Sequence, residues 1–225
     1  MPKGDGTLEA LQSSLKIYYK YKKQLVSNDQ FKKEIAIELD LGDGRDGPFL
    51  LKKSEIGRYF GLINYSFSNK KGMITERGIR FYESETLEDK IDIIFESVFE
   101  DSFGKKNFAI KSGNSRIDPP KLLVKSINVL NEITKKEFSY LLYSLADLNN
   151  SLENSLLAVE ISRDKKLDPP EISDHLTKKY TDIKFIVFFE NMKILKKDKN
   201  TYSFENYVSK KFREQISSLS IYNDV

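Results

Sequence analysis

The chain has 225 residues, 39% of them hydrophobic and 12% aromatic, which is enough to bury a sizeable core, and its formal net charge is only +3. With no cysteine and a single histidine, it excludes disulfides, thiol nucleophiles, structural zinc and a His-rich metal centre, leaving carboxylate-bound Mg²⁺ as the open metal chemistry. No apolar run approaches the roughly 20 residues of a membrane span, and the opening MPKGDGTLEA does not read as a signal peptide, so a cytoplasmic protein is expected.

Lys3, Gly4, Asp5, Gly6 and Thr7 form a glycine-containing turn before the first helix, a place where backbone N–H groups can face an anion. A flexible tail is the competing expectation. Leu8, Leu11, Leu15, Tyr18, Tyr19 and Leu25 predict one long amphipathic helix over residues 7–26, with Lys16, Lys20, Lys22 and Lys23 on its outer face. A second helix is expected over 31–39. The acidic, glycine-rich stretch 40–48 lacks the terminal bidentate glutamate of a Ca²⁺ loop and reads as a surface loop.

Ile56, Tyr59 and Phe60 share one helical face over residues 54–60, and Gly61 is a residue suited to end that helix in the left-handed conformation. Residues 62–67 and 73–75 are short extended runs joined by polar residues 68–72, the pattern of a hairpin. Thr75 is placed to cap a further helix that turns Ile79, Phe81 and Tyr82 inward. Helix, two-stranded wing and helix is the order in which a winged-helix domain closes, and a wing tip with two lysines suits a phosphate backbone.

Residues 85–103 predict a helix with Leu87, Ile91, Ile94, Phe95, Val98 and Phe99 buried, and 105–117 a polar loop. Asp118, Pro119 and Pro120 start a helix over 121–133; Thr134 starts another through Phe138, Leu141, Leu142 and Leu145, and a third is expected over 151–162. A weak internal repeat follows: helix 183–190, strand 192–195, basic turn 196–200, strand 201–204 and helix 204–216 reproduce the order of the first wing. The fold class expected is mainly α with small antiparallel β-hairpins (α+β), as tandem winged-helix subdomains over 1–86 and 87–225.

Gly61-Leu-Ile-Asn-Tyr65, the wing after it, Ile74-Thr75, Gly78 and the tail Phe81-Tyr82-Glu83-Ser84 resemble the DNA-recognition part of FokI-like and AlwI-like type IIS restriction endonucleases. Pro119-Pro120 before leucine-rich helices, the later basic wing and the turn at residues 4–7 fall in the same order, so the resemblance covers most of the chain. It implies sequence-specific binding of double-stranded DNA at an asymmetric site, by a monomer. It further implies that cutting belongs to a separate nuclease domain or subunit that uses Mg²⁺. The chain itself shows no nuclease motif: Glu160-Ile-Ser162 and Asp182-Ile-Lys184 each lack the lysine or a partner acid that a two-carboxylate Mg²⁺ site needs. No catalytic residue, cofactor or metal ligand is therefore assigned, and His175 has no catalytic partner nearby in sequence.

The candidate DNA-binding residues follow from the same frame. Lys3, Asp5 and Thr7 sit at the turn that matches the family's motif, where a carboxylate could accept from a cytosine amino group. Lys52, Lys53, Ser54 and Arg58 lie on the helix before the first wing, Asn69, Lys70 and Lys71 at its tip, and Arg77 and Arg80 after it. Lys111, Asn114, Ser115 and Arg116 form the later polar loop, Lys135 and Lys136 open a helix, and Lys196, Lys197 and Lys199 occupy the second turn. Lysine and arginine would grip phosphates while a few side chains read base edges. The competing expectations are a stand-alone winged-helix regulator, an intact small Mg²⁺-dependent nuclease, and a winged helix that binds protein rather than DNA.

Overall fold

Helices dominate, and they pack around small antiparallel sheets, the mainly α, α+β class expected. The computed structural model describes residues 7–22, 24–41, 47–100, 110–112, 115–167 and 184–223. These fall into two compact units, one within Pro2–Phe108 and Lys184–Met192, the other within Ala109–Ile183 and Lys193–Val225.

In the first unit, α1 (Leu8–Lys20) buries Leu11, Leu15 and Tyr18, and the Tyr18 ring stacks on Phe31 of α2 (Asn28–Glu38) at 5.2 Å. The expected helix over 7–26 is too long. It ends at Lys20, and Val26 instead opens a two-residue strand β1 (Val26–Ser27) that pairs with Gly72 and Lys71. That pairing reaches across the chain to the wing, so no local periodicity could announce it. Ser27 then caps α2 by accepting from the Gln30 amide.

A short α3 (Gly47–Lys52), unforeseen in the sequence, precedes α4 (Glu55–Tyr59), and Gly61 takes the left-handed conformation foreseen for it, at φ 64. Strands β2 (Ile63–Ser66) and β3 (Lys71–Ile74) form the expected hairpin, in a sheet of order β1-β3-β2. Thr75 caps α5 (Glu76–Glu83) through the Gly78 amide and donates its hydroxyl to the Gly61 carbonyl. Gly78 has no room for a side chain, since a Cβ there would lie 2.1 Å from the Leu62 carbonyl oxygen. Helix α6 (Leu87–Phe99) packs on α5, so this unit continues past residue 86.

The second unit holds two sheets. Strands β4 (Ile110–Ser112) and β5 (Ser115–Ile117) replace the loop expected over 105–117, and β5 pairs in turn with β9 (Tyr222–Asn223). Asp118 caps α7 (Pro119–Leu130) as expected. The buried Ile133 belongs to a strand, β6 (Glu132–Thr134), rather than to the end of that helix. Thr134 and Glu137 form a capping box at the start of α8 (Lys135–Ala146), and Ser151 caps α9 (Leu152–Asp164). The second hairpin, β7 (Leu195–Asp198) and β8 (Thr201–Phe204), sits in a sheet of order β6-β8-β7, and α11 (Asn206–Ser218) follows it. Helix α10 (Lys184–Asn191) clusters with the first unit, where the Phe188 and Phe189 rings lie 5.2 and 5.9 Å from Phe60.

Each unit therefore contains helix, short strand, capped helix, hairpin and helix in one order, with the late strand in the middle of its sheet. Among the described residues no helix is long and apolar enough to cross a membrane.

Candidate nucleic-acid interface

The first hairpin has a register that leaves residues 67–70 as its loop, since Ser66 pairs with Lys71. Ser66 Oγ accepts from the Asn69 amide at 3.3 Å, and Lys70 adopts the left-handed region at φ 52. The Lys70 carbonyl in turn accepts from the Asn28 amide at 3.0 Å, which ties the wing to the start of α2. Asn69, Lys70 and Lys71 are exposed, and among the described residues Lys70 and Lys71 pair with no carboxylate. Their charges remain available to an outside anion.

The basic residues on either side behave differently. Lys52 is exposed, but Lys53 and Ser54 are buried. Arg58 donates to Ser54 Oγ at 3.1 Å and to the Leu51 carbonyl at 2.8 Å, with its guanidinium 4.4 Å from the centre of the Tyr65 ring. The Tyr18 hydroxyl of this unit is pushed up to about 12 by burial and stays protonated. Arg77 bonds Glu100, and Arg80 holds both carboxylate oxygens of Glu96, so these two arginines tie α5 to α6. Thr7 accepts from the Ala10 amide and caps α1. Lys3 and Asp5 lie outside the described residues.

In the second unit, Lys111 pairs with Arg116 and Ser112 with Ser115 across the β4–β5 hairpin; Arg116 is exposed, and Asn114 lies outside the described residues. The second hairpin is tighter than the sequence led us to expect. Asp198 pairs with Thr201, so only Lys199 and Asn200 form the turn, Lys199 at φ 51, while Lys196 and Lys197 lie on β7 itself. Lysine is a weak strand former, yet an outer strand exposed on one side accepts it. Lys196, Lys197 and Lys199 are exposed and, among the described residues, pair with no carboxylate.

Lys135 and Lys136, in the first turn of α8, meet that wing across a cleft of about 590 Å³, whose wall includes Lys197, Asn200 and Tyr202. The Lys135 ammonium stands 5.8 Å from the Tyr202 ring centre. Glu137 and Arg163 fix the start of α8. Arg163 donates to Glu137 Oε1 and Oε2 at 2.6 and 2.9 Å and to the Glu132 carbonyl at 2.8 Å, while Glu137 Oε2 accepts from the Thr134 amide at 2.7 Å. Burial alone would raise the Glu137 carboxyl, but the hydrogen bonds from Arg163 and Thr134 outweigh it and hold it below the ordinary carboxylate range.

Sequence reasoning passed over Asn200 and Tyr202 as cleft residues and Arg163 as the anchor of the helix that carries two of the lysines. The Thr-x-x-Glu spacing from Thr134 to Glu137 is the signal that marks this helix start. A smaller groove of about 230 Å³ is lined by Asn131, Lys196, Asn206 and Arg213, a set rich in amide and cationic donors. Glu160 is exposed on α9, and Asp182 lies outside the described residues. Among the described residues no group of three or more His, Cys, Asp or Glu is arranged to hold a metal ion.

The fold has a counterpart among solved structures. It is similar to a crystal structure of the BpuJ1 endonuclease binding domain in complex with pyrene- and phenanthrene-modified DNA, over 94% of this chain and 82% of that chain, with a TM-score of 0.56 and 13% identity. At that identity the likeness is one of fold. No protein-family model matches the chain, and no curated protein matches it.

Proposed function

We propose that the chain binds double-stranded DNA sequence-specifically, as the recognition region of a type II restriction endonuclease of the FokI-like or AlwI-like, type IIS kind. The observation that carries this reading is how the cations are distributed. Arg58, Arg77 and Arg80 are engaged inside the fold, whereas Lys70 and Lys71 on one hairpin and Lys196, Lys197 and Lys199 on the other stand exposed without carboxylate partners among the described residues. Two hairpins that each present lysine within one repeated topology suit phosphate gripping by tandem winged helices. The likeness in fold to a binding domain solved with DNA supports the same reading.

In this account the wings and the start of α8 grip phosphate. The segments 3–7 and 111–116 reach the bases, with Lys3, Asp5, Thr7, Lys111, Asn114, Ser115 and Arg116 as the candidate contacts. The protein is a cytoplasmic monomer on an asymmetric site, and hydrolysis with Mg²⁺ belongs to an associated nuclease domain or subunit.

The test is binding-site selection from a randomised duplex library, with light scattering of the purified chain. A non-palindromic enriched site bound by a monomer is expected. A palindrome bound by a stable dimer would favour a stand-alone regulator, and plasmid cleavage in Mg²⁺ that is lost in Glu160→Ala or Asp182→Ala would favour an intact nuclease.

A further inference from the structure

The two sheets can be aligned rung by rung, because their registers correspond. One rung joins Val26, Gly72 and Tyr65 in the first unit and Ile133, Tyr202 and Lys197 in the second. The next joins Ser27, Lys71 and Ser66 in the first, and Thr134, Thr201 and Asp198 in the second. Ser27 and Thr134 cap the following helices, so Asn28 and Asp29 correspond to Lys135 and Lys136, and the buried Phe31 to the buried Phe138.

This alignment exposes a difference that topology alone conceals. Where the second unit carries Lys135, Lys136 and Lys197, the first carries Asn28, Asp29 and Tyr65. In the first unit the Tyr65 hydroxyl donates to Asn28 Oδ1 at 2.8 Å, and Asp29 accepts from Lys32 at 3.3 Å. The polar groups there satisfy one another, and the carboxylate repels an anion. In the second unit the larger Tyr202 replaces Gly72 on the rung, Lys197 replaces Tyr65, and a cleft of about 590 Å³ stays open between α8 and β7, where the lining carboxylate of Glu137 is taken up by Arg163. The cationic character comes from the lysine side chains, since the capping box already engages the Thr134 and Glu137 amides at the start of α8.

We infer that this cleft is a phosphodiester-binding site and that its counterpart in the first unit is not, so the two units grip DNA unequally. The inference rests on the DNA-binding reading above and deepens it. Phosphate oxygens are the ligand these donors fit: Lys135 and Lys197 reach in from two elements, and the Asn200 side chain in the wall adds a neutral donor. A base edge, being uncharged, would have no need of cations converging from two sides. The second unit would then supply most of the salt-dependent affinity, leaving the first freer for contacts that carry sequence.

The experiment compares the full chain with Lys135→Gln/Lys136→Gln/Lys197→Gln and with the matching Lys→Arg triple. Fluorescence anisotropy on a labelled duplex of mixed sequence is measured at several chloride concentrations. Each phosphate contact contributes about 0.9 to the slope of log K against log salt, so the glutamine triple should flatten that slope by about two to three while the arginine triple keeps it. An unchanged slope in the glutamine triple, with the parent chain binding normally, overturns the cleft and leaves the DNA reading standing. A parent chain that binds no duplex overturns both. Inorganic phosphate titrated at constant ionic strength distinguishes the source of the anion: phosphate that binds the parent chain but not the glutamine triple, without displacing the duplex, would make this a small-anion site and overturn the phosphodiester assignment.

Discussion

Replacing Glu137 tests whether the start of α8 is held as the geometry implies. Glu137→Ala removes one half of a capping box, a loss of about 1 kcal/mol. It also deprives Arg163 of both carboxylate bonds. The Glu137 side chain is only 8% exposed but that of Arg163 is 32% exposed, so water compensates part of the loss. A fully buried pair broken on one side costs about 3–5 kcal/mol; this one should cost about 1–2. The expected total is about 2–3 kcal/mol, read by urea denaturation followed by far-UV circular dichroism.

The pH dependence has a definite sign. The folded Glu137 carboxyl lies below its ordinary value of 4.5, so the stability it contributes is fully present above that value and is lost as pH falls through the lower, folded one. The gap between the parent chain and Glu137→Gln should therefore narrow on acidification below about pH 4.5. A total loss under about 0.5 kcal/mol, or a gap that widens in acid, would refute the reasoning.

Gly78→Ala should destabilise by about 3 kcal/mol in the same assay, because its Cβ would meet the Leu62 carbonyl oxygen at 2.1 Å and the base of the first wing would have to shift. Tyr65→Phe should cost about 1 kcal/mol through loss of the bond to Asn28, with no change in the salt dependence of DNA binding. Arg80→Ala removes a pair that is half exposed, and should cost under about 1 kcal/mol while leaving DNA affinity unchanged, since Glu96 already holds its guanidinium. Lys70→Ala/Lys71→Ala should leave the fold intact and flatten the salt slope by about one for each lost phosphate contact.

What the sequence announced were features fixed by neighbours in the chain. Thr75 and Asp118 cap helices as expected, helices start at Thr134 and Ser151 where expected, Gly61 turns left-handed, and residues 201–204 form the strand foreseen for them. What it concealed were pairings between distant segments. Val26 continues a helical apolar pattern, yet its backbone belongs to Gly72; Ile117 closes what reads as a polar loop, yet it pairs with Tyr222. Strand β7 starts at Leu195 and not at Met192; Met192 and Ile194 are as apolar as strand residues and fully buried without being in one. The candidate interface was legible in the same proportion. The lysines on both hairpins stand out in composition, but nothing local separates them from Arg58, Arg77 and Arg80, whose partners Leu51, Glu100 and Glu96 become neighbours only after folding.

The most direct test of sequence-specific DNA recognition is a pair of binding constants at one physiological salt concentration. One is measured for the duplex that emerges from site selection, the other for a duplex of the same composition with the selected bases shuffled. The account predicts a ratio on the order of 10³ or more in favour of the selected duplex. Equal affinity for the two, with the protein folded and bound, would contradict it.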